Sequence, residues 1–189
     1  MTAAPPRRVA VVHDWLDTWG GGENVLARIL EAYPQADLFA LVDFLPEARR
    51  AELGGRRATT TFVQRMPAAR KHFRGYLPVF PRAIESLDLS SYDLVLSSSH
   101  AVAKGVRVQP PQVHVCYCHT PMRYAWDLRE QYLGPRGLAR GARGLVVNHL
   151  LDRLRDWDRA ASARVTAFVA NSAFVRERIA RSYGRDATV

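Results

Sequence analysis

The stretch "RVAVVHDWLDTWGGGENVLARILEAYP", from Arg8 to Pro34, indicates the fold class of this chain. It begins with a continuous apolar run, Val9 to Val12, which is typical of a buried strand. A polar loop with three glycines, Gly20 to Gly22, comes next, and apolar residues then recur at helical spacing until Pro34 ends the pattern. The stretch therefore predicts a strand, a glycine-rich loop and a helix, which is the repeating unit of parallel α/β folds.

The same alternation continues along the chain. Short apolar runs predict further strands over residues 37–42, 93–97, 114–118 and 165–170. Helical periodicity predicts a helix from Leu145 to Ala161, and its expected apolar face consists of Leu145, Val146, Leu150, Leu151, Leu154 and Trp157. A last helix is expected to begin at Ser172 and to end at Gly184. Strands that alternate with helices predict a Rossmann-like, doubly wound parallel sheet.

Length and composition indicate one ordinary globular domain. The chain has 189 residues, of which 48% are hydrophobic and 24% are charged. No apolar run approaches the ~20 residues of a spanning helix, and the N-terminus lacks the features of a signal peptide, so we expect a soluble, cytoplasmic protein. The two cysteines, Cys116 and Cys118, are expected to be buried thiols because their spacing on a strand does not suit a disulfide.

The positive charge of the chain is unevenly distributed. The formal net charge is +9, and no acidic residue lies between Glu52 and Glu85. This segment also contains many apolar side chains, which suits contact with an anionic membrane surface through Arg65, Arg70, Lys71 and Arg74. The alternative is a solvated basic face whose aromatic residues anchor the segment to the core. No nucleic-acid recognition motif accompanies the charge, so nucleic acid is not an expected partner.

The glycine-rich loop is a candidate phosphate site. It lies between the first predicted strand and the first predicted helix, where bare backbone amides and the helix N-terminus can hold an anion. The pattern is neither G-x-G-x-x-G nor G-x-x-x-x-G-K-[ST], so it carries neither of those nucleotide-binding motifs. Three glycines that only permit a tight turn are the alternative, and the position after the first strand favours phosphate.

The second candidate region is "CYCHTPMRYAWD", from Cys116 to Asp127, in which a predicted strand ends at His119. Ligands of open α/β sheets bind at such strand ends. A single histidine is more often structural than catalytic. Here, however, aromatic and charged residues crowd behind it, which favours a ligand site. Tyr124 and Trp126 are alternatively core anchors for the segment that follows.

Three other patterns are weaker. Asp156-Trp157-Asp158 resembles a metal-binding D-x-D motif but lies inside the predicted long helix, where residues two apart do not face each other, so we interpret it as a solvated helix face. The polar stretch Ser97 to His100 and the nearby Lys104 follow a strand end and are either ligand contacts or an ordinary loop. The histidines form no metal-binding motif, and no metal is expected.

Four segments together resemble the N-terminal half of family 4 retaining glycosyltransferases, which have the GT-B fold. They are "HDWLDTWGGGENVL", "YDLVLSSSHAVAKGV", "CYCHTPMRYAWD" and "VANSAFVRERIARSYG", and they occur in the family's order. The resemblance runs from Val9 to Val189. It is greatest to bacterial mannosyltransferases that build surface polysaccharides.

The resemblance implies a domain arrangement and a reaction. Residues 1–184 would be an N-terminal, acceptor-binding domain, residues 185–189 would begin the interdomain linker, and the C-terminal, donor-binding domain would not be part of this chain. The implied reaction moves a hexose, mannose being favoured, from a nucleotide-sugar such as GDP-mannose to a lipid-linked glycan. It retains the anomeric configuration and uses no metal or cofactor. The enzyme would work at the inner face of the cell membrane.

The resemblance also assigns residues to roles. Gly21 and Gly22 match the glycines that reach the donor diphosphate, and His119 matches the histidine that contacts the donor sugar beside the reacting carbon. The expected acceptor side consists of Asp14, Trp15, Asn24, Lys104, Thr120, Arg123, Tyr124 and Asp127. Because the family's donor-binding glutamate motif is not in this chain, a stand-alone module that binds anionic lipid or sugar phosphate is the competing hypothesis.

Overall fold

A computed structural model describes residues 8–126 and 141–189, including all their side chains except those of residues 141–143. Six parallel strands form one sheet: β1 (Val9–His13), β2 (Asp37–Ala40), β3 (Thr59–Thr60), β4 (Leu94–Ser99), β5 (Val113–Cys118) and β6 (Ala167–Ala170). The helices are α1 (Gly21–Ala32), α2 (Ala69–His72), α3 (Phe80–Glu85), α4 (Gly141–Ala163) and α5 (Ala173–Tyr183). Short 3-10 helices cover Glu47–Leu53, Phe62–Arg65, Phe73–Val79 and Ala103–Gly105.

The strand order is β3-β2-β1-β4-β5-β6, which is the Rossmann order and confirms the predicted fold class. The order reverses between β1 and β4, where His13 is paired with Ser98 in register. In open α/β sheets the crevice outside the carboxyl ends of the strands at this reversal is the usual ligand site. The topology therefore predicts a ligand site near the residues that end β1, β4 and β5.

The sheet has two differently covered faces. On the α4 face, Ala10 and Val12 belong to the largest core cluster, together with side chains of α3 and α4. The α5 helix packs on the same side, against Cys116 and Phe168. On the opposite, α1 face, alternate strand residues such as Val9 and Val11 pack against α1.

The long helix differs from its prediction in the face that it buries. Leu151 and Leu154 are buried, but Leu145 is 74% exposed and Val146 is 60% exposed. The contact with the core runs through Leu151, Leu154 and the partly buried Val147 and Trp157. Leu150 is 39% exposed and, like Leu145 and Val146, does not belong to the buried face. Among the described residues, no helix has the length and apolar character needed to cross a membrane.

The last helix confirms its predicted ends. The Ser172 hydroxyl accepts a hydrogen bond from Val175 N, and Gly184 adopts a left-handed conformation with φ of 67°. Beyond this cap the chain returns to the sheet. Thr188 forms a parallel bridge with Val169, donating its N–H to Phe168 O at 3.0 Å and accepting from Ala170 N at 2.7 Å. Within residues 185–189, the expected start of a linker, Thr188 therefore pairs with the edge of β6.

Candidate functional site

A cleft of about 480 Å³ opens at the carboxyl ends of the central strands. It lies beside the point where the strand order reverses, and the N-terminus of α1 forms one wall. Its lining consists of Gly21, Gly22, Glu23, Val25, His100, Tyr117, His119, Thr120, Arg123, Tyr124 and Asn171. Gly21, Gly22 and His119, which the sequence assigned to the donor, therefore line one cleft.

The glycines leave the backbone N–H groups at the start of α1 uncovered by side chains. The first intrahelical hydrogen bond runs from Asn24 N to Gly20 O at 3.1 Å, so the N–H groups of Gly21 and Gly22 precede it. A Cβ added to Gly21 would have no heavy atom within 4 Å. A Cβ on Gly22 would lie 3.8 Å from His119 Nε2. An anion at this helix N-terminus would thus be adjacent to His119.

His119 follows β5 directly and is held from several sides. Its N–H donates to Ser99 O at 2.9 Å, and its Nε2 lies 2.9 Å from Ser98 Oγ. The side-chain amide of Asn171 donates to His119 O at 3.3 Å. Burial, followed by the neighbouring His13, lowers the pKa of His119 to about 4. The imidazole is therefore neutral at neutral pH.

Beneath His119 lies a second, fully buried histidine. His13 ends β1, and its Nδ1 lies 3.1 Å from Ser98 Oγ. Its Nε2 lies 3.5 Å from Glu23 Oε1, and no aligned hydrogen-bond partner for this nitrogen exists within the described ranges. Burial raises the pKa of the Glu23 carboxyl, but His13 and backbone N–H groups outweigh it and bring the pKa below its ordinary value.

Asp14 was predicted to bind the acceptor, but the structure places it in the interior. Its side chain is fully buried, and its two oxygens accept backbone N–H groups from His100, Ala101, Val102 and Ala103 at 2.5 to 2.9 Å. Burial raises the pKa of Asp14, but His100 and these donors outweigh it and hold the pKa far below its ordinary range. Asp14 thus fixes the turn after β4 and has no exposed oxygen for a ligand.

Lys104 is likewise an interior residue and not an acceptor contact. Its Nζ lies 2.5 Å from Asp158 Oδ1 and donates to Ala101 O at 2.7 Å. Asp158 also accepts from Trp126 Nε1 and from the Tyr183 hydroxyl, each at 2.8 Å. The interpretation of Asp158 as part of a solvated helix face was wrong, because partners distant in sequence converge on it inside the protein.

The other predicted acceptor residues are divided between the cleft and its surroundings. Thr120 is buried and accepts from Arg178, whereas Arg123 is exposed and Tyr124 is half-buried along the cleft. Trp15 packs outside it, against Phe73, Phe80 and His100. Asn24 accepts from Trp19 Nε1 and lines a neighbouring apolar groove. Asp127 lies outside the described residues.

Sequence reasoning missed three members of this site. Glu23 and His13 were not singled out, because their importance depends on their burial and on the distance between them. A sequence pattern shows neither of these two quantities. Asn171 had a recognisable signal. It immediately follows β6, just as His119 immediately follows β5, so the rule that flagged the histidine would also have flagged the asparagine. His100, noted only within a polar stretch, lines the cleft.

The basic segment is anchored to the core by its aromatic residues, as one of the two interpretations expected, and its contact with a membrane stays a prediction. Arg65, Arg70, Lys71 and Arg74 are all exposed. The aromatic rings of Phe73 and Phe80 are buried in the core and anchor the segment. Arg74 pairs with Asp17 at 2.7 Å and lies over the Phe73 ring, so the other three charges are the more available ones.

Comparison with known proteins identifies the family. Residues 19–189 match the model of glycosyltransferase family 4, which covers most of the chain. Searches of curated proteins and of solved structures returned no match. The match includes the glycine-rich N-terminus of α1, His119 and Asn171, and the Rossmann-like sheet agrees with the N-terminal domain of the GT-B fold. This chain therefore belongs to glycosyltransferase family 4.

Proposed function

We propose that this chain is the acceptor-binding half of a retaining hexosyltransferase that transfers mannose from GDP-mannose without a metal ion. The observation that supports it most strongly is that Gly22 and His119 line the same cleft beside the reversal of strand order, close enough that a Cβ on Gly22 would lie 3.8 Å from His119 Nε2. There, a site for a diphosphate and a site for a sugar lie side by side. A nucleotide-sugar has these two groups joined by one bond, and that bond breaks in the transfer.

The two sides of the cleft suit the charges that develop in such a reaction. Negative charge grows on the leaving diphosphate, and the N–H groups of Gly21 and Gly22 at the start of α1 can stabilise it. Positive charge grows on the sugar ring. A neutral His119 can accept a hydrogen bond from a sugar hydroxyl and keep the reacting carbon in place without adding positive charge.

For the acceptor we propose a lipid-linked glycan approached from an anionic membrane at the inner face of the cell. Arg123, which is exposed, and Tyr124 and Thr120, which also line the cleft, are the acceptor candidates supported by their position. Exposed Arg65, Arg70 and Lys71 would attract the membrane. Asp14 and Lys104 are not proposed as acceptor contacts, because both are fully buried.

The nucleotide would be held by a separate donor-binding domain. The cleft residues of this chain reach only the diphosphate and the sugar in the arrangement proposed here. We therefore expect the 189-residue chain to fold alone, burying about 70% of the surface of its unfolded form, and to transfer no sugar. Donor fragments should bind weakly and through their phosphates.

The test combines transfer and binding assays on the purified chain. Transfer is measured with GDP-mannose and a panel of other nucleotide-sugars, and the binding of GDP-mannose and of pyrophosphate is measured by calorimetry and NMR. Gly21→Val should abolish the phosphate-dependent shifts, because its side chain would occupy the open space above the helix N-terminus. Gly75→Val is the matched control, since a Cβ there also meets nothing within 4 Å, away from the cleft.

Two results would overturn the proposal. Measurable sugar transfer by this chain alone would contradict the proposal that a separate domain must hold the nucleotide. Phosphate binding that Gly75→Val reduces as much as Gly21→Val would show that the helix N-terminus is not the anion site. Binding of anionic vesicles without any effect of pyrophosphate or nucleotide-sugar would favour the competing stand-alone module.

A further inference from the structure

A continuous line of polar side chains connects the N-terminus of α1 with His119. Glu23 Oε1 lies 3.5 Å from His13 Nε2, His13 Nδ1 lies 3.1 Å from Ser98 Oγ, and Ser98 Oγ lies 2.9 Å from His119 Nε2. His13 and Ser98 are fully buried, so bulk water does not compete for these atoms. The line ends at the cleft, where His119 Nδ1 has no hydrogen-bond partner among the described residues.

This line can have only one of two polarities, because the Ser98 hydroxyl has a single proton. Either Ser98 donates to His13 and accepts from His119 Nε2, or it donates to His119 and accepts from His13 Nδ1. In the first case a neutral His119 carries its proton on Nε2. In the second case it carries its proton on Nδ1, the nitrogen that does not face Ser98.

Glu23 selects between the two polarities. Its Oε2 accepts the N–H of Gly20 at 2.9 Å, and an ionised carboxylate has no proton to give to His13. His13 Nε2 must then carry a proton toward Oε1, since two acceptors facing each other in a buried place repel. A single proton on the His13 ring, held on Nε2, leaves Nδ1 as an acceptor, so Ser98 donates to it and accepts from His119, whereas a second proton on Nδ1 would give the opposite polarity.

We propose that Glu23, His13 and Ser98 are positioning residues that hold His119 as the neutral imidazole with its proton on Nε2. Nδ1 then stays a hydrogen-bond acceptor toward a hydroxyl group in the cleft. The chemical consequence is discrimination. A lone pair accepts a sugar hydroxyl but repels phosphate oxygens, so the diphosphate is directed to the N–H groups of α1. The hydrogen bond from a sugar hydroxyl to His119 rests on the proposed function, whereas the tautomer of His119 does not.

The tautomer is tested by the ¹⁵N chemical shifts of the His119 ring in the histidine-labelled 189-residue chain near pH 7. The wild-type protein should show the Nε2–H form. Glu23→Gln should reverse the line. The amide oxygen of the substituted side chain must still accept from Gly20 N–H, which leaves its NH₂ group to donate to His13 Nε2. His119 should then shift toward the Nδ1–H form.

Ser98→Ala should also change the His119 shifts, because it removes the only partner of Nε2 seen within the described ranges. Ser97→Ala is the matched control. Ser97 is the neighbouring buried serine, and its hydroxyl bonds to His114 Nε2 at 2.8 Å instead of to His119. An Nδ1–H tautomer in the wild type, or His119 shifts that neither Glu23→Gln nor Ser98→Ala alters, would overturn the inference.

A kinetic measurement separates this inference from the proposed function. In an active enzyme that contains this chain, Ser98→Ala should lower kcat by about 10- to 100-fold, by analogy with the loss of groups that orient metal-binding histidines. KM for the donor should change less, and Ser98→Thr should restore much of the loss. If Ser98→Ala changes the His119 tautomer but not kcat, the role of the polar line is supported and the proposed contact between His119 and the sugar is refuted.

Discussion

Two adjacent serines on β4 hydrogen-bond to two different histidines, one on each face of the sheet. Ser97 Oγ lies 2.8 Å from His114 Nε2 on the α4 face, and Ser98 Oγ lies 2.9 Å from His119 Nε2 on the α1 face. The chemical groups and distances are nearly the same. The difference is access, because His114 is fully buried whereas His119 lines the cleft.

This pair shows that a perturbed histidine is not in itself a sign of function. Burial lowers the pKa of His114 to about 3, and burial together with His13 lowers the pKa of His119 to about 4. A search for shifted pKa values would rank the structural histidine above the one in the cleft. What distinguishes His119 is its position in the lining of a cleft that a ligand can enter.

The two lysines of the chain repeat this contrast between interior and surface. Lys104 is fully buried against Asp158, whereas Lys71 is exposed on the basic segment. One charge is committed to the fold and the other is available to a partner.

The largest effect is expected for Lys104→Met. It leaves the Asp158 carboxylate buried without its cation, and removing one partner of a buried ion pair costs about 3–5 kcal/mol. The free energy of unfolding, measured by urea denaturation, should fall by that amount. Lys71→Met should stay within about 0.5 kcal/mol of the parent protein. Equal losses in the two variants would show that Lys104 is not the interior partner described here.

His119→Ala should come next, and its effect should appear in turnover and not in folding. Loss of a transition-state contact of this kind costs about 2.7–4 kcal/mol, or 10²- to 10³-fold in kcat. His114→Ala should instead reduce stability and leave kcat of the folded enzyme nearly unchanged. Steady-state kinetics and denaturation of both variants provide the comparison. A His119→Ala enzyme within a few-fold of the parent would contradict the donor role.

The pH dependence of the free energy of unfolding should reveal the contribution of His114. Its folded-state pKa of about 3 lies below the ordinary value of 6.5, so between these values the unfolded state binds a proton that the folded state does not. The free energy of unfolding should therefore fall as the pH is lowered from 6.5 to 5, by about 2 kcal/mol from this residue. His114→Gln should remove that part of the slope, and the difference between the two proteins should be constant above pH 7.

The smallest effect is expected for Lys71→Gln on membrane binding. One surface lysine near an anionic bilayer contributes about 1 kcal/mol, which corresponds to a roughly five-fold loss in co-sedimentation with anionic liposomes. Added salt should weaken the binding of the parent protein. Unchanged binding of the variant, or equal binding to neutral and anionic vesicles, would remove the electrostatic part of the membrane proposal.

The sequence predicted the elements that have a clear period or a cap. Val9 to His13 and the helix after Gly20 follow from apolar runs and helical spacing, and Ser172 and Gly184 end the last helix as expected. The strand Thr59–Thr60 was missed because two residues are too few to show a period. Gly22 and His119 were recognised by their places after strands, which the parallel topology then brought together.

The interior polar groups could not be predicted, because distant parts of the chain assemble them. Asp158 meets Lys104, Trp126 and Tyr183, which belong to three different segments. Asp14 was expected to bind the acceptor, because the family resemblance placed it on the acceptor side of the cleft. Only the structure shows that four backbone N–H groups already occupy its oxygens.

The pairing of Thr188 with β6 has a consequence for how this protein aggregates. A strand at the border of a sheet offers unpaired N–H and C=O groups to any other strand, including one from a second molecule. Thr188 occupies the Ala170 N–H and the Phe168 C=O at that border. A shorter version that stops at Gly184 would keep every helix and strand described above, yet it would expose both groups beside β6. Such a protein should retain its fold and self-associate along this edge. The pairing of Thr188 with β6 is therefore expected to prevent polymerisation through this edge.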